Sequence, residues 1–210
     1  MPTRKPTTAS GAAKKVAPRL SFRPVGRTNW DDMVELFDGR GGPKHCWCMV
    51  WRPLPARDRK QDGRRRRAAM RRRVTQGVPI GILGYLRGRP VAWCSIAPRP
   101  TYRDLGGPEP PEPEKVWSLV CFFVVRELRN RGVLGRILYA AEQQALRRGA
   151  TLLEAYPVDA DSPSYRFMGF LKFFTAAGYR EVGRAGTRRH VVQKRLEPVR
   201  RRKPVKRKVG

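Results

Sequence analysis

The longest run of apolar residues lies in the second half of the chain, at residues 117–125. It is too short to span a membrane, and it is rich enough in β-branched residues to form a buried strand. A basic loop with Gly132 and Gly135 follows it, and apolar residues then recur at helical spacing until Gly149 supplies a stop. The pattern therefore predicts a buried strand, a glycine turn and an amphipathic helix in direct succession.

Similar patterns predict elements on both sides of this unit. Residues 20–25 form an expected first strand, and Asn29 is placed to cap a helix that ends at residues 39–43. Residues 80–86 and 91–97 flank a glycine turn, which is the signature of a hairpin. The remaining elements are a strand, a helix and a last antiparallel pair, at residues 151–158, 170–179, 179–182 and 190–196.

The glycine turn has the features of an anion site. The first amides of a helix have no acceptor within the helix, and the aligned peptide dipoles place partial positive charge there. Arg129, Arg131 and Arg136 add full charges around the same point, so the turn is suited to a phosphate or pyrophosphate. The chain has neither Gly-Lys-Ser/Thr nor Gly-x-Gly-x-x-Gly, which argues against a nucleoside-triphosphate loop and a dinucleotide-binding fold.

This stretch resembles the acetyl-CoA-binding motif of the Gcn5-related N-acetyltransferases (GNAT). Arg129, Gly132 and the strand residues Phe122 and Val124 match the family pattern, whereas Leu134 stands where the family has Gly or Ala. The likeness continues through residues 151–158 and through the later helix with its Gly178-Tyr179 ending. It implies an α/β (α+β) fold, in which a mixed, mostly antiparallel sheet has a splayed parallel central strand pair and helices on both faces.

The resemblance also implies acetyl-CoA as cosubstrate. Backbone groups at the end of the central strand would pair with the pantetheine arm, as an added strand would, and polarise the thioester carbonyl. The loop and the first helical turn would hold the diphosphate. The implied cofactor-binding residues are Phe123, Val124, Val125, Arg129, Asn130, Arg131, Gly132, Val133, Leu134, Gly135 and Arg136.

The family's reaction is direct transfer of an acetyl group to a primary amine, which must lose a proton before it attacks. Glu154 is the candidate base, because it lies in the second strand where several relatives carry a catalytic Glu; the alternative is a strand carboxylate paired with an arginine. Phe174 stands where the family often has a Tyr acid. Tyr156, two residues from Glu154 on the same strand face, or Tyr165 could replace it, and so could solvent.

Residues 46–53 form an aromatic segment without a clear period. Trp47, Trp51 and Arg52 either line the core or form the acceptor-side wall, since the family usually covers the substrate amine with the segment between its first two strands. The run from His45 to Cys48 could suggest zinc. The two cysteines are one residue apart and no second Cys/His pair follows, so we expect a packed apolar segment and no metal.

Composition predicts one domain at residues 20–197 between disordered basic tails at residues 1–19 and 198–210. Hydrophobic residues make up 40% of the chain, enough for a core, and no window approaches the length of a membrane helix. The amino terminus lacks a hydrophobic signal core, which predicts a cytoplasmic protein with reduced cysteines. Cys94 and Cys121 lie in apolar runs and are expected in the core. Nothing in the pattern indicates an oligomeric state.

Charge is the anomaly of the composition, with a net charge of +29. The two tails carry twelve basic and no acidic residues, which leaves +17 on residues 20–197. Residues 57–73 predict an amphipathic helix with an intensely basic outer face. This charge indicates either contact with DNA or RNA, through this helix and the tails, or only the arginine usage of a GC-rich genome. The acceptor amine could then be linked to nucleic acid; the alternative function is a non-catalytic nucleic-acid-binding protein on the same scaffold.

Overall fold

A computed structural model describes residues 19–54 and 62–197. The predicted tails, apart from Arg19, and the first part of the basic segment at residues 57–73 lie outside the described residues. Seven strands form one sheet in the order β1-β2-β3-β4-β5-β7-β6. The strands are β1 Leu20–Pro24, β2 Ile82–Leu86, β3 Arg89–Pro98, β4 Val116–Val124, β5 Leu152–Ala155, β6 Arg180–Ala185 and β7 Arg189–Arg195. The helices are α1 Trp30–Asp38, α2 Gly63–Thr75, α3 Val133–Arg147 and α4 Leu171–Ala176.

The sheet is covered on both faces, as predicted. On one face, α3 and α4 pack against a cluster that includes Leu119, Phe122 and Ile137. On the other face, α1 and α2 pack against a second cluster that includes Trp93 and Cys121. Consecutive residues at the end of β4 alternate between these two clusters, as the pleat of a strand requires. Both expected core cysteines, Cys94 and Cys121, are buried.

Three details differ from the sequence-based prediction. Asn29 precedes α1 but does not cap it with its side chain, because its Oδ1 accepts from the Gly26 amide instead. In α2, the sequence predicts an apolar stripe of Ala68, Ala69, Met70 and Val74, but Ala68 is exposed, so the stripe consists of the other three residues. The strand predicted at residues 151–158 ends at Ala155.

The early end of β5 opens the sheet at its centre. The strands β4 and β5 pair in parallel from Val116↔Leu152 to Leu119↔Ala155. Beyond that point β4 continues to Val124 against β3, with a register shift that leaves Val120 as an extra β4 residue. The Val158 amide donates to the Gly169 carbonyl, and the Val158 carbonyl accepts from the Leu171 amide. The backbone after β5 is therefore bonded to the segment before α4, and β4 and β5 part.

Within residues 19–54 and 62–197, the structure contains no helix that is both long enough and apolar enough to cross a bilayer. The same residues contain no group of three or more His, Cys, Asp or Glu side chains arranged to hold a metal ion.

Candidate active site

The loop between β4 and α3 keeps the start of α3 open. Asn130 and Gly132 both adopt positive φ, at 58° and 73°, which turns the chain sharply into the helix. Gly132 and Gly135 are exposed, and a Cβ atom at either position would meet nothing within 4 Å. The unpaired amides of the first turn can therefore be approached closely by an anionic group such as a diphosphate.

The side chains around this turn divide into two sets. Arg129, Asn130 and Arg131 are exposed on the loop. Val133 is buried in the α3-side core, and Leu134 is half-buried and packs against the same core. The bulky side chain at position 134 is thus held by the core, and the residues that flank it leave the helix start accessible.

The end of β4 supplies backbone groups on the edge that β5 has left. Phe123 and Val125 pack against the α1/α2 side of the sheet, and Val124 packs against the α3 side. The Val124 carbonyl accepts a hydrogen bond of 3.0 Å from Arg129 Nε. Arg129 therefore links the strand end to the loop, so the two parts of the predicted cofactor site are adjacent.

Glu154 lies next to the point at which the strands part, and its side chain is fully buried. Its register partner on β4 is Ser118, whose hydroxyl donates to Oε1 over 3.4 Å. Arg99 Nε donates to the same oxygen over 3.2 Å, and the Tyr156 hydroxyl donates to it as well. Gln193 Nε2 donates to Oε2 over 2.9 Å. The carboxylate is therefore held by four donors, one of them cationic.

Tyr156 is the second member of this group. Burial, and then the Glu154 carboxylate, raise the pKa of Tyr156 well above its usual value. A phenol in this setting keeps its proton across the neutral range and shares it in a hydrogen bond with the carboxylate. Glu154 and Tyr156 thus form a hydrogen-bonded pair, the Glu154–Tyr156 unit, at the sheet opening.

Tyr165 is not part of the hydrogen-bonded group around Glu154. It is half-buried before α4, and its ring lies 6.0 Å from that of Trp51. The Arg189 guanidinium lies over both rings and over Tyr156, with Cζ 4.3 Å from the Trp51 centroid, 5.6 Å from Tyr156 and 5.5 Å from Tyr165. Arg189 therefore connects Tyr165 to the Glu154–Tyr156 unit.

The three residues predicted for the acceptor wall separate in the structure. Trp47 is 1% exposed and packs among Trp30, Phe37 and Arg67 in the α1/α2 core. Of the two alternatives given for Trp47, its burial on one face of the sheet therefore favours core lining over an acceptor contact.

Arg52 is also a core residue. It is 1% exposed, and its Nη2 donates to the Ile80 carbonyl, to Ser95 Oγ and to the Tyr102 hydroxyl. These bonds hold residues 51–52 against β3 and the loop after it, so core lining is again favoured over an acceptor contact. Trp51 differs, because it packs with Val120 and Tyr156 in a third cluster at the sheet opening.

Several residues of the site had no signal in the sequence. Ser118 and Gln193 reach Glu154 only because the strand register places them opposite it. Arg99 comes from a 3-10 helix, Arg99–Thr101, inside a proline-rich loop, and Arg189 comes from the first position of β7. The alternation of a strand predicts which face a side chain occupies, but it does not predict which neighbouring strand stands beside it.

The fold matches solved acetyltransferases across most of the chain. A protein of the GNAT family from Desulfovibrio desulfuricans superposes with a TM-score of 0.55 at 12% identity, over 85% of this chain and 100% of its own. A GNAT-family acetyltransferase from Streptococcus pneumoniae gives 0.53 at 11% identity, over 85% of this chain and 100% of its own. The PaiA N-acetyltransferase from Thermoplasma acidophilum, solved in complex with coenzyme A, gives 0.51 at 10% identity, over 84% and 99%.

At these identities the structural likeness shows the fold. No curated protein matches the sequence. The sequence pattern of the acetyltransferase (GNAT) family does match, at residues 42–170, which is more than half of the 210 residues and includes β4, α3 and β5. The protein therefore belongs to the GNAT acetyltransferase family, as an N-acetyltransferase with acetyl-CoA as its cosubstrate.

Proposed function

We propose that this enzyme transfers an acetyl group directly to a primary amine held at the opening between β4 and β5. The observation that carries the proposal is the parting of these strands after Leu119↔Ala155, directly before the open start of α3. Acetyl-CoA supplies the acetyl group as a thioester when it is bound. The edge of β4 that β5 leaves and the first α3 turn are two binding surfaces of the kinds that the pantetheine amides and the diphosphate need.

We assign the cofactor-binding role to the residues of these two surfaces. Val124 presents its backbone at the end of β4, whereas the Val125 amide and carbonyl are already bonded to Val91 and Leu128, and Gly132 to Gly135 present the first amides of α3. Arg129 and Arg131 add positive charge, and the exposed glycines of the turn leave room for the ligand. The half-buried position of Leu134 supports this assignment, because its side chain packs on the core.

As the amine forms a bond to the acetyl carbon, the carbon–sulfur bond breaks, the coenzyme A thiolate leaves and the amine loses a proton. Glu154 and Tyr156 are proposed to take up that proton and to return one to the thiolate. Tyr156 Oη holds a proton that it donates to Glu154 Oε1, so the pair can give or accept one proton at a single place. Arg99 keeps a positive charge beside the carboxylate as that proton moves. Phe174 is buried and has no proton to donate, so the role of general acid is proposed for Tyr156. Tyr165 is proposed to form part of the acceptor wall with Trp51.

A second activity, docking on nucleic acid, is favoured by one observation on α2. Of its seven arginines, Arg66, Arg67 and Arg73 are half-buried and bond to the His45 carbonyl, to Asp38 and to the Pro53 carbonyl. The other four, Arg64, Arg65, Arg71 and Arg72, are exposed. At about 100° per residue they lie within about a third of the helix circumference, so they form one strip of charge along the helix. We infer that this strip binds a phosphate backbone, which would bring a nucleic-acid-linked amine to the enzyme.

The first prediction tests the diphosphate site with Gly135→Glu. The helix dipole stabilises a carboxylate in the first turn, and a side chain at position 135 meets no other atom within 4 Å of its Cβ. The variant should therefore fold at least as stably as the wild type. It should repel a diphosphate. Acetyl-CoA at about a hundred times its Kd should raise the wild-type melting temperature by about 5–10 °C, and the rise should disappear in Gly135→Glu. The matched neutral variant, Gly135→Gln, should keep most of the rise; an equal rise in all three proteins would exclude this site.

The second prediction tests the Glu154–Tyr156 unit. Tyr156→Phe should lower the single-turnover rate of acetyl transfer to the best acceptor of an amine panel by about 100-fold, while acetyl-CoA binding is retained. Glu154→Gln should lower the same rate and also cost about 3 kcal/mol of unfolding free energy, because it removes the charge that pairs with Arg99.

Glu109→Gln is the control for this pair. Glu109 binds the same Arg99, but its side chain is 70% exposed, so the change should cost under about 1 kcal/mol and leave the rate unaltered. Wild-type rates in Tyr156→Phe would remove Tyr156 from the mechanism.

The third prediction tests the α2 strip. Replacing Arg64, Arg65, Arg71 and Arg72 together by Gln should weaken binding to random-sequence RNA and duplex DNA. The slope of log K against log salt should fall by about one for each phosphate that the variant no longer neutralises. Removing four exposed arginines elsewhere, Arg87, Arg148, Arg180 and Arg195, changes the net charge equally. If both sets weaken binding to the same extent, the effect belongs to total charge and not to α2.

A further inference from the structure

Arg189 is a half-buried cation that forms no salt bridge with any described residue. In the part of the chain that the structure describes, no carboxylate oxygen lies within 4.0 Å of its guanidinium. Its Nη1 donates to the Leu105 carbonyl over 2.8 Å, and that is the single hydrogen bond found for its side chain among those residues. A guanidinium carries five N–H donors, so most of the donor capacity of Arg189 is unused there.

The surroundings hold Arg189 in position without neutralising it. Trp51, Tyr156 and Tyr165 lie around the guanidinium with ring centroids 4.3 Å, 5.6 Å and 5.5 Å from Cζ. The faces of aromatic rings attract a cation, and flat contact also restricts the directions in which the side chain can point. Burial lowers the pKa of Arg189 from its usual value, which shows that the charge is partly desolvated. A desolvated cation with free donors is a strong binding group for an oxyanion.

A second arginine shares the same indole. Arg103 Cζ lies 4.8 Å from the Trp51 centroid, and the Arg103 amide donates to the Trp51 carbonyl over 3.1 Å. Arg103 is exposed, and its positive charge repels the positive charge of Arg189. Asp104 offsets this in part, but its Oδ1 is used by the Gly106 amide over 2.7 Å. The positive charge of Arg103 therefore adds to that of Arg189 around Trp51, and a bound anion would offset the repulsion between the two charges.

This pair of arginines lies beside the proposed transfer site. Arg189 covers the ring of Tyr156, and the hydroxyl of Tyr156 donates to Glu154. Two acids beside the opening, Glu154 and Glu109, are already bound by Arg99. A second ammonium group on an acceptor would thus meet the cations Arg189 and Arg103, whereas an oxyanion would meet unused donors.

We infer that the acceptor amine carries an oxyanion group, a carboxylate or a phosphate, and that Arg189 and Arg103 bind it beside Trp51. The inference rests on the proposed function and adds the chemical class of its acceptor. Arg189 and Arg103 are then specificity-determining residues, which hold the acceptor by its anionic end while its amine faces the Glu154–Tyr156 unit. Polyamines are expected to be poor acceptors, because their further ammonium groups are repelled at the same place.

The test compares amines that differ only in the anionic group. O-phosphoethanolamine is paired with ethanolamine, and L-alanine with L-alaninamide, and each is measured with coenzyme A present by isothermal titration and with acetyl-CoA by acetyl transfer. The wild type should favour the anionic member of at least one pair by about ten-fold or more in Kd and in kcat/KM. Preference within the first pair identifies phosphate as the recognised group, and preference within the second identifies carboxylate.

Arg189→Gln and Arg103→Gln should each remove most of this preference. Each variant should bind and acetylate the anionic amine of the pair more weakly, while its Kd and kcat/KM for the neutral amine should stay unaltered. Arg103 is exposed, so its variant is expected to fold even if Arg189→Gln does not. Arg195→Gln, which removes an exposed arginine at the end of β7, should leave the preference unaltered.

The outcomes separate this inference from the proposed function. If acetyl-CoA fails to stabilise the protein, the proposed function itself fails. If acetyl-CoA binds and the wild type takes neutral and anionic amines equally, the acceptor class is wrong and the transfer site stands. If no amine in the panel is acetylated, the titrations decide alone, and equal Kd values within both pairs overturn the inference.

Discussion

The whole site depends on the point at which two parallel strands stop sharing hydrogen bonds. Strand β4 loses its β5 partner after Leu119, and the extra residue Val120 adds a bulge at that position, which increases local twist. On the other side, Pro157 has no amide to donate, and Val158 is bonded to Gly169 and Leu171. A local feature of each strand thus ends the hydrogen bonding between β4 and β5. The result is a strand edge that has lost its β5 partner in the centre of a sheet, beside the 3-10 helix Arg166–Met168.

A buried carboxylate beside this opening constrains the surrounding chain. Glu154 has no exposed surface, so its charge must be met by protein groups, and it is met by donors from β4, β7, the loop that follows β3 and the residue that follows β5. These donors tie four separate segments to one oxygen pair. The same set of bonds fixes Tyr156 beside the opening, and Tyr156 in turn supports the aromatic ring cluster around Arg189. The hydrogen bonds that stabilise the buried Glu154 carboxylate therefore also position the residues against which an acceptor would lie.

The local elements could be predicted from the sequence, and the contacts between distant segments could not. The apolar run, the glycine turn and the helical period of residues 117–149 were sufficient to predict β4, the loop and α3, because each depends on neighbouring residues. Resemblance to a family then supplied the mixed sheet with its splayed parallel pair. The length of β5 was predicted wrongly and the position of Trp47 was left open between two alternatives, since both are decided by packing. The chain after Ala155 bonds to the segment before α4, and the Trp47 indole packs against Trp30 and Phe37. The contacts of Arg99 and Arg189 with the site could not be predicted for the same reason, because they join segments that are distant in the sequence.

The most direct measurement of the central claim is amide hydrogen exchange with and without coenzyme A, followed at single-residue resolution. If the strand opening and the helix start bind the ligand, coenzyme A should slow exchange along β4 from Val120 to Val124 and at Val133 to Gly135, with little change in β1. Unchanged exchange at those amides, together with slowed exchange in the groove between β1 and α3 that Phe22 and Tyr139 line, would contradict the account.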